Sequence, residues 1–313
     1  MEAIILVKAG GIENLKLADI PKPIVQENKV LIKVKAISIN PVDIKTRIGK
    51  SLYDELKKDP PIILGWDVSG IITEVGSGVT KFKTGDEVFG MINFPGHGKA
   101  YAEYVVASAS ELALKPANVS HGEAAAATLA ALTAWQALVT NGKVSKGQKV
   151  VIQAASGGVG HYAVQIAKYL GAYVIATSSA ANKDFVLSLG ADEHIDYQKH
   201  KIDEVVNDAD FVLDPIGDKN IDPSLNAVRK GGTVIMLPSF FKEQIAEKSK
   251  AKGVNGYYFS VRSNGEDMKM LAELLAKGII RSHVSHSYPL NKITEAHLQI
   301  ESGRTVGKII VTI

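Results

Sequence analysis

One short stretch limits the architecture of this chain more than any other: "VVIQAASGGVGHYAVQIAKYLGA", Val150 to Ala172. Val150 to Gln153 is rich in β-branched residues and predicts a strand. Val164, Ala167 and Leu170 then recur at helical spacing, and Gly171 stands where that helix should end. A glycine turn lies between them. A strand, a tight turn and a helix in this order put unpaired helix N–H groups, and the positive end of the helix dipole, where a pyrophosphate can sit. In the frame Ala155, Ser156, Gly157, Gly158, Val159, Gly160, an alanine replaces the first glycine of the general G-x-G-x-x-G fingerprint. An alanine is tolerated there as long as its φ stays negative, because only a positive φ penalises the Cβ. Gly157 would let backbone approach the phosphates, and Gly160 would let the helix pack closely on the strand. His161 follows in the first helical turn, where approach to the phosphates and an ordinary surface position are both open.

The surrounding pattern extends this local reading to the whole chain. Up to residue 119 the sequence reads as β: "KVLIKVKAISI" sets Val30, Ile32 and Val34 against Lys33 and Lys35, and further strand-like runs are separated by Gly-, Pro- and Lys-rich turns. Ser120 and Glu123 then form a capping-box spacing before "AAAATLAALTAWQAL", which predicts a helix. From there apolar strands and amphipathic helices alternate, the signature of a doubly wound parallel sheet. The C-terminal "GKIIVTI" returns to β character and is expected to rejoin the first domain. The expected division is 1–119 with 281–313 as one domain and 120–280 as the other.

Composition excludes several classes of function. A chain of 313 residues, 46% hydrophobic and 22% charged, is long enough for two cores. The formal charge of +3 is mild and the lysines are scattered with no block that would mark a nucleic-acid arm, so charge names no partner, and a nucleic-acid partner is not expected. There are no cysteines, which removes disulfides and cysteine-ligated zinc. No run approaches the roughly 18 apolar residues that span a bilayer. "MEAIILVKAGG" lacks the basic start and longer apolar core of a secretory signal, so a cytoplasmic location is expected.

The choice of dinucleotide turns on the end of the next strand. An NAD site usually carries an acidic residue there to accept the ribose 2′-OH. Here "YVIATSSAANK" offers Thr177, Ser178 and Ser179, and its first charged residue is Lys183. Hydroxyls and a lysine hold a 2′-phosphate that a carboxylate would repel, so NADPH is expected.

These features, together with "NPVDIKTRIG" (Asn40 to Gly49), "VGSGVTKFKTGDEVFG" (Val75 to Gly90), "AALTAWQAL" (Ala130 to Leu138) and "GADEHIDY" (Gly190 to Tyr197), resemble the medium-chain dehydrogenase/reductase superfamily over nearly the whole chain. Within it they resemble the zinc-free quinone oxidoreductase branch. The family motif A-x-x-G-x-x-G is matched by Ala154, Gly157 and Gly160, with Ser156, Gly158 and Val159 completing the turn. The resemblance implies an α/β fold: a GroES-like β domain plus a Rossmann doubly wound parallel-sheet domain, with the active site in the cleft between them. It also implies that Ser178, Lys183 and Tyr197 hold the 2′-phosphate and that Asn40 and Thr133 lie near the nicotinamide. By the same resemblance Tyr53 is a cleft tyrosine and the enzyme is a homodimer; negative charge developing on the acceptor would be met catalytically by Tyr53, Asn40 or water. Zinc-dependent relatives carry a cysteine in the segment matching "ISINPVD" and a G-H-E motif where this chain has Gly65, Trp66 and Asp67. No metal is therefore expected.

The expected activity is NADPH-dependent hydride transfer to a small apolar electrophile, a quinone or another α,β-unsaturated carbonyl. An enoyl-thioester reductase of the same superfamily and a low-turnover NADPH-binding or RNA-binding protein are the alternatives.

Overall fold

A computed structural model of the chain describes residues 1–217, 220–237 and 242–313. It divides into two compact units, Met1–Leu132 with Arg262–Ile313, and Thr133–Val261.

The first unit is built around the strand Lys29–Ile39, whose side chains are buried on both faces along most of its length. It pairs antiparallel with Asp67–Val75, Tyr104–Ser108 and Lys308–Thr312, and Leu31 and Ile37 are as buried as Val30 and Ile32. The alternation seen in the sequence survives mainly at Lys33, which is exposed. The C-terminal strand Lys308–Thr312 does return to this sheet, where it lies between Lys29–Ile39 and the parallel strand Val284–Pro289. A second, three-stranded sheet comprises Leu15–Asp19, Glu2–Leu6 and Ile62–Ile63.

The helix signal at Ser120 holds at its start. Ser120 Oγ accepts the Glu123 N–H at 3.2 Å, and Glu123 Oε2 accepts the Ser120 N–H at 3.0 Å. The run does not form one helix, however. It breaks into His121–Ala126 and Leu129–Trp135. At the break the Leu129 N–H donates to Asp67 Oδ1 at 2.9 Å, and Thr128 Oγ1 donates to the Ala125 carbonyl at 2.8 Å. A carboxylate from a distant strand thus starts the second helix.

The unit boundaries also differ from the expected 119/120 and 280/281. His121–Ala126 packs on Lys29–Ile39, Asp67–Val75 and Lys308–Thr312, and the helix Gly265–Ala276 packs against Ala113–Leu114. Both helices therefore belong with the β strands. Capping and periodicity identify an element but do not say which sheet it covers.

The second unit is a six-stranded, wholly parallel sheet. Its order is Glu193–Asp196, Tyr173–Ser178, Lys149–Ile152, Ala209–Asp214, Val228–Met236, Asn255–Tyr258. The strand order reverses direction at Lys149–Ile152, the kind of switch point beside which α/β sheets bind ligands. Val150, Val151 and Ile152 are fully buried, each contributing about 1.5–3 kcal/mol of apolar transfer. The helix Gly158–Tyr169 ends as its sequence indicates. Gly171 has φ +80°, its N–H donates to Lys168 O at 2.9 Å, and the Ala172 N–H donates to Ala167 O at 3.1 Å, which is a Schellman cap.

Candidate active site and cofactor site

The glycine turn belongs to the second unit. The Ala155 N–H donates to Thr177 O at 2.8 Å and the Ala154 N–H to Thr177 Oγ1 at 3.3 Å, so the turn is tied to the end of the neighbouring strand. Ala155 avoids positive φ, but Ala154 takes φ +48°, and the left-handed residue of the turn is therefore an alanine. The two glycines of the motif have different burdens. A Cβ on Gly160 would lie 2.2 Å from Ala154 O and 2.7 Å from Ala155 Cα, which no side chain can satisfy. A Cβ on Gly157 would meet Ala154 O at 3.2 Å, tight but tolerable. The need for glycine at 160 is structural, whereas at 157 it concerns the space above the turn. Gly157 caps the helix without a side chain, so the N–H groups of Gly158, Val159 and Gly160 precede the first intrahelical bond, from His161 N to Gly157 O. His161 is neither a surface residue nor aimed outward. It is fully buried, its Nδ1 lies 3.0 Å from Gly157 O, and its ring centroid lies 3.9 Å from that of Tyr162 with the planes tilted by 42°.

The strand end places Ser178, Lys183 and Tyr197 in one locality. Ser178 closes the strand and pairs with Asp196 in the next one, while the Tyr197 N–H donates to Ser178 O at 3.3 Å. Lys183 opens the helix Lys183–Ser188 and is exposed, as is Tyr197. Ser156 Oγ accepts a hydrogen bond from Asn182 Nδ2 at 3.2 Å, joining the turn to the same locality. Two members were not evident from sequence: Asn182, and His194, whose Nε2 lies 2.8 Å from Ser178 Oγ. Strand pairing brings His194 there, and "GADEHIDY" alone carries no register.

The first unit holds a buried polar network around Asn40. The Asn40 N–H donates to Asp43 Oδ2 at 2.6 Å, its Nδ2 donates to Asp67 Oδ2 at 2.7 Å, and its Oδ1 accepts from Lys308 Nζ at 2.5 Å. Lys308 Nζ also donates to Ile39 O at 3.0 Å and lies 3.8 Å from Asp67 Oδ2. Asp43 and Asp67 are completely buried. Burial pushes the Asp43 carboxyl up to about 7, raises that of Asp67 and lowers the Lys308 ammonium, with the opposite charges in the cluster acting against burial in each case.

A second arm runs to the surface of the unit. Arg47 makes a paired contact with Glu301 at 2.5 and 3.3 Å, and its Nη1 lies 3.3 Å from His297 Nδ1. Since arginine only donates, His297 Nδ1 accepts, and the ring proton sits on Nε2 and points to the Tyr101 oxygen 3.1 Å away. Burial, then Arg47, hold His297 down at about 3, so the ring is neutral. Burial raises Tyr101 well above its ordinary value. Asp43 Oδ1 has no hydrogen-bond partner among the described residues, although it is buried.

Tyr53 starts the short helix Tyr53–Leu56 in the same unit, and its hydroxyl oxygen accepts the Ala9 N–H at 3.2 Å. Among the described residues no hydrogen bond joins it to the Asn40 network. Thr133 is buried in the helix Leu129–Trp135. An open groove of about 1110 Å³ on the first unit is lined by Ile24, Phe94, His97, Lys99, Tyr104 and Glu111 among others, and by none of the expected site residues.

The residues present do not fit a catalytic zinc. Around Asn40 the donors are a carboxamide and two carboxylates already bonded within the chain, with the Lys308 ammonium among them. Among the described residues no three His, Cys, Asp or Glu side chains are grouped to hold a metal ion. The glycine turn and the Ser178 locality do fit a phosphorylated dinucleotide: backbone N–H groups stand at the turn, and a hydroxyl and a lysine follow it.

Residues 26–117 match the family described as the alcohol dehydrogenase GroES-like domain, and residues 189–311 the one described as zinc-binding dehydrogenase. The 2-methylene-furan-3-one reductase of Solanum lycopersicum is 34% identical over 312 residues, covering 96% of this chain and 76% of that protein. The chloroplastic NADPH-dependent alkenal/one oxidoreductase of Arabidopsis thaliana is 33% identical over 99% of this chain and 79% of its own length. Among solved structures, the quinone oxidoreductase of Coxiella burnetii superposes with a TM-score of 0.95 at 35% identity, covering 100% of this chain and 99% of that one.

Proposed function

The chain belongs to the medium-chain dehydrogenase/reductase superfamily, in its zinc-free quinone oxidoreductase branch, and from that premise we propose that it passes hydride from NADPH to quinones or other α,β-unsaturated carbonyls. The observation that carries the cofactor half of this reading is the end of the strand Tyr173–Ser178, which closes on a serine and leads to Lys183 with no carboxylate on that segment. NADPH supplies the hydride chemistry. The chain supplies binding through the N–H groups of Gly158, Val159 and Gly160, through Ser156, and through Ser178, Lys183 and Tyr197 at the phosphate.

With no metal to polarise the carbonyl, negative charge developing on the acceptor oxygen needs a hydrogen-bond donor. Tyr53 is the proposed donor. Its oxygen already accepts the Ala9 N–H, which polarises the O–H and leaves that proton to donate. Asn40 is proposed to hold the shape of the nicotinamide end, with Thr133, because both polar atoms of its carboxamide are already engaged by Asp67 and Lys308.

No helix among the described residues is long and apolar enough to cross a membrane. A cytoplasmic location and a homodimer are part of the proposal, and light scattering on the purified protein tests the dimer. The decisive assay follows NADPH and NADH oxidation with a panel of quinones, alkenals and enoyl thioesters. Turnover of quinones or alkenals with preference for NADPH is expected. Turnover confined to enoyl thioesters would move the chain to the thioester reductases, and tight NADPH binding without turnover of any acceptor would refute a catalytic role.

A further inference from the structure

The hydroxyl of Ser178, proposed above as a phosphate ligand, is already engaged inside the protein. Ser178 is 2% exposed, and its Oγ lies 3.0 Å from Ser179 O and 2.8 Å from His194 Nε2. One hydroxyl carries one proton, so the state of the imidazole decides where that proton goes. With His194 neutral and Nε2 unprotonated, the ring nitrogen and the Ser179 carbonyl compete for the Ser178 proton. With His194 protonated, Nε2–H donates to Ser178 Oγ, and the serine proton is free to turn to a stronger, anionic acceptor.

We propose that His194 is a specificity-determining residue of the cofactor site: as the imidazolium it turns the Ser178 hydroxyl toward the 2′-phosphate and adds a positive charge beside it, so that NADPH binding takes up a proton and NADH binding does not. The inference rests on the NADPH reading of the same site.

The groups facing His194 are few. Lys183, at the start of the helix packed on this strand, opposes the imidazolium, with Asp184 beside it. Asp196, two residues further along the same strand, favours it. Glu193, also on this strand, is tied to the Tyr173 hydroxyl at 2.5 Å. From the paired strand Tyr173–Ser178 the facing group is Ser178 itself. Burial prevails and holds the ring below the ordinary histidine value, so without cofactor it is neutral at physiological pH. A phosphate dianion at Ser178 supplies the negative charge that Asp196 alone does not, and it reverses the preference. The site then holds two cations, Lys183 and His194, against two negative charges on the phosphate.

The test measures the Kd of NADPH and of NADH from pH 6 to 8.5, by nucleotide fluorescence, for the wild type and the His194→Gln and His194→Asn variants. The wild-type preference for NADPH should fall about tenfold across this range, the change that one unit of pKa displacement produces. The phosphate's own second ionisation, near pH 6, acts in the opposite sense and is common to all three proteins. In both variants the fall with pH should disappear. Calorimetry on the wild type alone, at pH 7 in two buffers of different ionisation enthalpy, should show net proton uptake with NADPH and none with NADH, and this needs no variant to fold. A preference that does not fall with pH, a fall retained in both variants, or absence of proton uptake overturns the inference while leaving the NADPH reading intact. Equal affinity for NADH and NADPH at every pH overturns that reading, and the inference with it.

Discussion

Lys308 brings an ammonium into contact with Asn40 and close to Asp67 from 268 positions away in the chain, and much of the first unit's polar interior depends on that one residue. Removing one member of a buried pair leaves an uncompensated charge at a cost of about 3–5 kcal/mol. Lys308→Met should therefore lower urea-unfolding stability by about that much, and adding Asp67→Asn should recover part of the loss. The titrating residues give a second prediction. Asp43, raised to about 7, contributes stability that is full below its unfolded value of 3.8 and is lost as pH rises toward 7. Asp67 acts in the same direction. His297, held at about 3, contributes stability that is full above 6.5 and is lost as pH falls toward 3. Between pH 4 and 6.5 these slopes oppose each other. Asp43→Asn should therefore make stability rise more steeply with pH over that window than in the wild type, and His297→Gln should make it fall, as read by chemical denaturation at each pH. None of this was legible beforehand. Asn40, Asp67 and Lys308 are adjacent only because three strands pair, and Asp67 reads in sequence merely as the departure from G-H-E.

At the scale of elements, local signals served well wherever a local bond makes the structure. Ser120 with Glu123 and Gly171 marked a helix start and a helix end, and both caps formed. Ser120→Ala should cost about 1 kcal/mol of stability, seen as a lower thermal midpoint, without altering NADPH affinity. The break at Ala127–Thr128 was invisible because its cause, Asp67 Oδ1, arrives from another strand. The glycine turn was legible as a motif, although the strain falls on Ala154 and not on the alanine that replaced the first glycine. The unequal burdens of its glycines yield a prediction of opposite readouts. Gly160→Ala should depress the melting temperature severely, because the added Cβ has nowhere to go. Gly157→Val should leave a folded protein with weakened NADPH binding, and intact binding in that variant would refute the turn as the cofactor site.

At the scale of the molecule, alternating strands and helices announced a parallel sheet, and the structure adds that its six-strand order reverses at the glycine-turn strand. What pattern could not give was the allocation of helices to units, since an apolar face does not name its partner. The first unit takes residues from both sides of the second and sets Lys308–Thr312 inside its sheet. A chain ending at Gly307 should lack that strand and the Lys308 ammonium together, and so lose the near-ultraviolet circular dichroism of packed aromatics such as Trp66 and Tyr101. The same interleaving imposes an order on synthesis. The dinucleotide unit is one uninterrupted stretch, complete once Val261 has left the ribosome. The first unit, although begun first, waits with the flank of its central strand unpaired until a strand encoded beyond the second unit arrives. The nascent chain thus completes the unit proposed to hold the nucleotide before the first unit can close its own sheet.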